Sequence, residues 1–245
     1  MIPFLHSGRE TEFMADFCAR MAGTAALALL TATAANGHPL PQKEIYAGPL
    51  AVPPSAPSML GTTAVRIRAD RFSGSWARAL EDASRVPAMQ QLIAPARGLT
   101  RPQQIAFVQR AVSTNIRWIS DATEWGQHDY WASAAQTLAH GAGDMEDRAI
   151  VKMQALRALG FDQRDLYITL ARDRVGGPLT VLAVRYAGRF FILDDTGGTP
   201  FLADSRSFEL QPILSFGWTG AWVHQKPGAS LAIASASAAA AGTHK

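Results

Sequence analysis

Residues 141–150 read Gly-Ala-Gly-Asp-Met-Glu-Asp-Arg-Ala-Ile and mark the start of a helix. Asp144 can accept hydrogen bonds from the free amides of the first turn, and Asp147 three residues later makes an approximate capping box. Glu146 is also favoured there, because a negative charge suits the positive end of the helix dipole. Apolar residues recur at helical spacing beyond this start, so we predict a helix over residues 144–159.

The sequence around this helix changes from helical to strand periodicity. Upstream, apolar spacing predicts helices over residues 102–116 and 131–138. Gly160 is well placed to cap the helix that begins at residue 144. Downstream, β-branched and aromatic residues concentrate in three segments that predict neighbouring antiparallel strands, at 166–170, 179–186 and 189–193. A last apolar segment, 208–224, is expected to complete the sheet, and helices followed by an antiparallel sheet indicate an α+β fold.

The amino-terminal 34 residues have the layout of a secretory signal peptide. Arg20 precedes a short apolar run, and small residues end at Ala34 in an A-x-A pattern. The run is too short to span a bilayer comfortably, so we expect cleavage near Ala34, a periplasmic protein and no stable membrane insertion. Glu10 and Glu12 fit such a signal poorly, which leaves Met14 as an alternative start of translation.

The rest of the chain divides into three predicted parts. Residues 35–61 hold several prolines and no sustained periodicity, so they are interpreted as an extended lead-in. The folded domain is expected to span residues 62–227, which is enough for a single core. An alanine- and serine-rich tail follows over residues 228–245.

Composition and charge exclude some classes of protein. Hydrophobic residues are 48% of the chain and charged residues 18%, as in a folded globular protein. The net charge is only +3 and the basic residues are scattered, so no nucleic-acid-binding stripe is predicted. The one cysteine is Cys18, within the predicted signal peptide, which leaves the mature chain without a thiol or a disulfide.

The helix start also belongs to a longer pattern. Trp118, Trp125 and Asp-Tyr-Trp at 129–131 precede it; Val-Leu-Ala-Val at 181–184 and Phe-Ile-Leu-Asp-Asp at 191–195 follow it. Residues 100–225 therefore resemble the bacterial transglutaminase-like cysteine proteinases, whose motifs read G-x-G-D-C-E-D-Y-A-I, G-H-A-V-L-A-V and L-V-L-D-N. The resemblance implies a papain-like or transglutaminase-like core, in which a cysteine at a helix amino terminus meets a histidine and an aspartate on adjacent strands.

Two of the three catalytic positions implied by this resemblance carry other residues. Met145 stands at the position of the cysteine, Leu179 at that of the histidine and Asp194 at that of the aspartate. A thioether has no proton to lose and cannot form an acyl-enzyme, and no histidine occurs between His140 and His224. The resemblance therefore predicts a protein that has lost cysteine-protease chemistry.

A metal site and a groove are further implications of the resemblance. In the adhesin-releasing branch of the family, acidic residues beside the cysteine bind calcium, and Asp144 and Glu146 match them here. Capping of the helix is the alternative role for these two acids. Trp125, Tyr130 and Trp131 are candidates for the upstream wall of a binding groove, with packing in the core as their alternative role.

These observations lead to three hypotheses about function. The first is a pseudoenzyme that binds a peptide, an adhesin segment or the periplasmic domain of an inner-membrane receptor without cutting it. The second is an active peptidase or hydrolase with another nucleophile, although neither Ser133 nor Thr180 has a histidine at a convincing spacing. The third is a structural factor in surface adhesion or polymer assembly.

Overall fold

The computed structural model describes residues 56–69, 72–196, 198–206 and 209–227. The predicted signal peptide, the lead-in as far as residue 55 and the tail from residue 228 lie outside the described residues.

The described chain is a mixture of helices and antiparallel strands, so the α+β prediction is confirmed. Its helices are α1 (Ser73–Ala79), α2 (Pro87–Ile93), α3 (Arg101–Asn115), α4 (Asp121–Glu124), α5 (Ala134–His140) and α6 (Met145–Ala158). Its strands are β1 (Thr63–Ile67), β2 (Arg117–Trp118), β3 (Ala142–Gly143), β4 (Leu166–Arg172), β5 (Pro178–Tyr186), β6 (Arg189–Leu193), β7 (Phe201–Leu202), β8 (Gln211–Gly217) and β9 (Gly220–Gln225).

Seven strands form one sheet in the order β1-β9-β8-β4-β5-β6-β7, and every neighbouring pair is antiparallel. β2 and β3 form a separate parallel pair in which Trp118 lies beside Gly143. This small pair leads directly into α6. It therefore fixes the place where the motif at residues 141–150 begins its helix.

Helix α6 packs against α3 and α5 on one side and against β4 and β5 on the other. Asp144 caps it by accepting hydrogen bonds from the amides of Glu146 (3.1 Å) and Asp147 (3.4 Å). At the other end Gly160 has φ +86°, and its amide donates to the carbonyl of Arg157, as expected for a glycine that ends a helix. Asp147 has a different partner from the one that the predicted capping box implies, because its carboxylate accepts a hydrogen bond from the distant amide of Ala132.

The two faces of the large sheet are covered by different parts of the chain. Side chains alternate along a strand, so Val181 and Ala183 of β5 point away from α6 into a cluster that contains Tyr167 and Trp222. Met59 and Leu60 cover this cluster and are each only 3% exposed. Residues 56–61 were predicted to belong to an extended lead-in, but their burial makes them part of the domain.

No helix within the described ranges has both the length and the apolar character needed to cross a membrane.

Candidate functional site

Three carboxylates meet beside the start of α6. Asp121 is the first residue of α4, Asp144 caps α6 and Asp147 lies in the first turn of α6. One oxygen from each lies within 4.8 Å of the others, and we refer to these three residues as the acidic site. Asp121 and Asp147 are 4% and 0% exposed, so two of the three carboxylates are buried.

Backbone groups hold the acidic site in place. One oxygen of Asp147 accepts from the amide of Ala132 at 2.7 Å, and one oxygen of Asp121 accepts from the amide of Tyr130 at 2.5 Å. The other oxygen of each carboxylate is buried and has no hydrogen-bond donor among the described residues. A Cβ atom at Gly143 would lie 2.7 Å from the Cβ of Asp147, so a glycine there allows the close approach.

The electrostatics of the acidic site are those of crowded acids without a cation. The pKa of Asp121 is raised to about 7, chiefly by burial and also by the charges of Glu146 and Asp129. Burial likewise raises the pKa of Asp147 to about 8, and the charges of Asp121 and Glu146 act in the same direction. The pKa of Asp144 is also well above its usual value, again chiefly because of burial. A bound cation would relieve this repulsion.

Glu146 was predicted as a calcium ligand beside Asp144, and it lies next to the acidic site but has another partner. Its Oε1 accepts a hydrogen bond from Thr180 Oγ1 of β5 at 2.8 Å. Burial raises its pKa, and its charge in turn raises that of Asp144, so the two carboxyl groups are close enough to interact. Glu146 thus joins the start of α6 to the sheet.

The three triad-equivalent positions are not brought together as the motif alignment suggested. Met145 is the first residue of α6, as expected. On β5, however, Thr180 reaches the first turn of α6, whereas Leu179 packs on the opposite face of the sheet with Val181 and Ala183. The assignment of the histidine position to Leu179 therefore does not match the alternation of the strand. The position that faces the helix is Thr180.

Asp194 follows β6 directly and is engaged in local contacts. Its Oδ1 accepts hydrogen bonds from Thr196 Oγ1 at 2.8 Å and from Gln109 Nε2 at 3.2 Å. Both partners are neutral side chains, and neither could act as a catalytic base. This aspartate closes a turn at the end of the strand.

The aromatic residues predicted for a groove separate into two groups. Trp131 is 2% exposed and packs edge-on against Phe216, so the groove assignment is wrong for this residue, which belongs to the core. Trp125 and Tyr130 are half-buried with ring centroids 4.8 Å apart, and they border the acidic site through the Tyr130 amide. Trp118, which was not predicted as a groove residue, is 48% exposed beside Gly143.

Of the described histidines, His128 is exposed, and the other two have side-chain partners. His140 pairs with Glu124 at 2.9 Å and stacks on Trp125. His224 lies on the far face of the sheet, where its Nε2 is 2.7 Å from Ser215 Oγ and its Nδ1 is 2.8 Å from Thr62 Oγ1.

Ser215 in turn is 2.8 Å from Thr169 Oγ1. We call these four residues, Thr62, His224, Ser215 and Thr169, the histidine chain.

Sequence reasoning did not place Asp121 or Asp147 in a cluster with Asp144, and it considered Thr180 only as an alternative nucleophile. Asp121 is far from Asp144 along the chain, and only the packing of α4 beside α6 brings them together. The one signal for Asp121 was its place in the tryptophan-rich segment, between Trp118 and Trp125. The face on which Thr180 lies could have been found only by counting along β5 from a residue known to be buried against the helix.

Solved structures with a similar fold include LapG of Legionella pneumophila. Its calcium-bound form is 25% identical over 64% of this chain and 88% of that chain, with a TM-score of 0.50. The EGTA-treated form gives 25% identity, 65% and 87% coverage and a TM-score of 0.49. A putative cysteine protease from Cytophaga hutchinsonii is 15% identical, with 62% and 53% coverage and a TM-score of 0.36. No curated protein sequence matches the chain.

The sequence itself matches one family description. The bacterial transglutaminase-like cysteine proteinase family (BTLCP) matches residues 85–209, which is just over half of the 245 residues and spans α3, the acidic site, α6 and strands β4 to β7. The chain belongs to the bacterial transglutaminase-like cysteine proteinase family.

Proposed function

We propose that this protein is a catalytically inactive member of its family that binds a protein or peptide partner in the periplasm. The observation that carries the proposal is Met145 at the first position of α6, directly after the capping Asp144. A cysteine placed there would be activated by the helix amino terminus and by a neighbouring imidazolium. A methionine thioether offers neither a proton nor a thiolate, so no acyl-enzyme can form.

The residues of β5 at the position of the family's histidine support the same proposal. Neither Leu179 nor Thr180 is a histidine, and the described histidines are exposed, paired with Glu124 or buried on the far face of the sheet. Loss of both the nucleophile and the base leaves no route to cysteine-protease chemistry.

Calcium is the proposed cofactor of the acidic site. Calcium prefers oxygen ligands at about 2.4 Å, so two ligand atoms of one ion lie no more than about 4.8 Å apart. The oxygens of Asp121, Asp144 and Asp147 satisfy that limit. Two of the buried carboxylate oxygens lack a donor among the described residues, which fits an ion better than a role in capping alone. The similar LapG structure is described as calcium-bound.

The residues present would supply the charge and part of the coordination shell. Three carboxylates provide up to six oxygens, and Glu146 adds negative charge at their edge. The ion would neutralise the repulsion among them and hold α4 against the start of α6. Its proposed role is therefore to fix the groove wall rather than to assist a reaction.

The partner is proposed to dock where α6 begins. Trp118, exposed beside Gly143, and the stacked pair of Trp125 and Tyr130 offer aromatic surface on the helical side of this region. Large aromatic side chains are typical anchors of protein interfaces. An adhesin segment or the periplasmic domain of an inner-membrane receptor is the kind of partner that we propose.

The alternative of a hydrolase with a different nucleophile has two geometric candidates among the described residues, because both Ser215 and Thr62 have a hydroxyl within hydrogen-bond distance of His224. The Thr62 hydroxyl already donates its proton to the carbonyl of Met59. Ser215 is 0% exposed and lies inside the sheet, so no substrate can reach it. Ser133 caps α5 and is 2% exposed. The geometry of these serines favours the binding function.

The proposal is tested by capturing partners on the chain from residue 35 onward, from periplasmic and membrane extracts, in calcium and again in EGTA. The termini of each captured protein are then determined by mass spectrometry. We expect intact partners that are retained in calcium and lost in EGTA. The Asp147→Asn variant is the matched control and should fail to retain them. Partners with new and consistent termini would show that the protein is an active protease.

A further inference from the structure

Two buried cations on one side of α6 have no part in the function proposed above. Arg148 and Lys152 lie one helical turn apart and are 6% and 1% exposed. Buried charges carry a large desolvation cost and persist only where partners satisfy them. Their partners therefore indicate what the two side chains hold in place.

Both cations contact the turn that follows β6. Arg148 Nη1 lies 2.7 Å from Asp195 Oδ1, and Lys152 Nζ donates to the carbonyl oxygen of Asp194. Gln109 of α3 donates to the same carbonyl at 3.0 Å. We call this set of five residues the β6 clamp. It ties the end of β6 to two helices, α3 and α6.

The β6 clamp is connected to the acidic site through β5. Leu182 of β5, two residues after Thr180, pairs with Leu193, the last residue of β6, and Asp195 follows two residues later. Thr180 in turn donates to Glu146 in the first turn of α6. The contacts therefore close a ring that leaves α6 at Glu146, crosses β5 and the end of β6, and returns to α6 at Arg148.

The charge of Arg148 and its structural contacts should have opposite effects on calcium binding. Arg148 directly follows Asp147 in the sequence, and a positive charge so near the acidic site repels a second cation. Removing that charge without moving any other group would strengthen calcium binding. If Arg148 instead positions the site, its removal should weaken calcium binding. The direction of the change in affinity therefore distinguishes a positioning role from an electrostatic one.

We propose that Arg148 is a positioning residue for the cation site. Through Asp195 it holds the ends of β5 and β6 against the first turn of α6, and this keeps Thr180 bonded to Glu146 and Glu146 beside Asp144. The inference rests on the proposed binding of calcium by the acidic site.

The test compares Arg148→Met with the double variant Arg148→Met/Asp195→Leu. The single variant leaves the half-buried Asp195 without its ion-pair partner and should unfold at a lower urea concentration. The double variant replaces the pair by apolar side chains of similar size, which commonly restores stability. We expect calcium affinity, measured by calorimetry, to stay at least about tenfold below the wild type in both variants. A double variant that binds calcium as tightly as the wild type, or more tightly, overturns the proposal.

The matched control is Arg185→Met, which breaks the ion pair with Asp165 (2.8 Å) at the far end of β5. It should lower stability and leave calcium affinity unchanged. Equal losses of affinity in this variant and in the double variant would show a general effect of destabilisation, and the positioning role would fall.

A second measurement does not depend on calcium. In the metal-free protein, the double variant should show faster amide hydrogen exchange over residues 178–181 and 193–196 than the wild type. Unchanged exchange in these two segments would contradict the proposal that the β6 clamp holds them in place. If the wild type gives no heat with calcium, the proposed cofactor fails on its own, and the exchange data still decide whether the clamp holds these strands.

Discussion

The acidic site and the histidine chain are two buried polar regions on opposite faces of the same sheet, and they are built in opposite ways. In the histidine chain the hydrogen bonds run in one direction. Thr62 Oγ1 donates to the carbonyl of Met59 at 2.8 Å, so it accepts from Nδ1 of His224, and Nε2 then accepts from Ser215. In the acidic site, Asp121 and Asp147 each keep a buried oxygen with no donor among the described residues.

This difference distinguishes buried polar groups that satisfy one another from buried polar groups that form a candidate ligand site. The histidine chain is neutral and its groups satisfy one another, so it contributes to stability and needs nothing from solution. The acidic site concentrates negative charge, and the charge of Asp121 raises the pKa of both Asp144 and Asp147. Such a site is stable with protons or with a cation bound. The two regions should therefore respond to pH with opposite signs.

The largest expected effect is the pH dependence of the calcium-free protein. The folded-state pKa values of about 7 for Asp121 and about 8 for Asp147 lie above the unfolded value of about 3.9. The folded protein therefore binds more protons than the unfolded chain in this range, and its free energy of unfolding falls as pH rises, by up to about 10 kcal/mol from pH 4 to 8 for these two groups. Urea unfolding in EGTA measures it.

The part of this slope between pH 6.5 and 8 is the cleanest, because the histidine chain does not titrate there. Calcium should replace the protons and flatten the slope in this interval. The Asp147→Asn variant should show a smaller slope in EGTA. If the free energy of unfolding depends on pH in the same way with and without calcium, then calcium does not bind at the acidic site.

The second effect comes from His224 and has the opposite sign. Burial lowers the pKa of His224 to about 4, below its ordinary value of about 6.5. The neutral ring contributes stability that is complete above pH 6.5 and is lost as pH falls towards 4, with a maximum of roughly 3 kcal/mol. His224→Gln should remove this loss, which the difference between the two urea-unfolding curves measures.

The control for this variant is His128→Gln, at an exposed position in the loop that follows α4. It should follow the wild-type curve throughout. If His224→Gln also follows the wild-type curve below pH 6, the histidine chain is not the source of the acid sensitivity.

Much of the fold could be predicted because its signals are local. The cap at Asp144, the glycine at residue 160 and the change of period after it are written in adjacent residues, and the structure confirms the helix and the strands that follow. The order of motifs also identified the family correctly.

The site was predicted only in part, because its geometry depends on packing between distant segments. Asp144 was found by its place in the motif, whereas Asp121 joins it only when α4 packs beside α6. Position 179 was chosen by motif alignment, and a shift of one residue along a strand moves a side chain to the other face. Trp131 and Met59 were predicted outside the core because their burial depends on contacts with segments that are distant in the sequence.

A third effect tests the ligand role of one carboxylate. Asp147→Asn keeps an oxygen that can accept from Ala132 but removes the negative charge. We expect calcium affinity to fall at least tenfold, or by about 1.4 kcal/mol, in calorimetric titration. Asp82→Asn, an acid on the exposed surface, is the control and should leave the affinity unchanged. An unaltered affinity in Asp147→Asn would remove this residue from the metal site.

The smallest expected effect distinguishes the two faces of β5 through the pKa of a cysteine thiol. Met145→Cys alone is expected to have no peptidase activity, because neither residue 179 nor residue 180 of β5 supplies an imidazole. Adding Thr180→His places an imidazole on the helix face beside Glu146, which favours its protonated form, and an imidazolium lowers the pKa of a neighbouring thiol. Adding Leu179→His instead places it on the far face.

With calcium present, the thiol pKa should therefore be about one unit lower in Met145→Cys/Thr180→His than in Met145→Cys/Leu179→His. The pH dependence of alkylation by iodoacetamide measures both values. The two double variants have the same composition apart from the residue that the histidine replaces, so they control for each other. A lower thiol pKa in the Leu179→His variant would mean that residue 179 faces the helix. Position 179, as the motif indicates, would then be the equivalent of the family's histidine, and Thr180 would not.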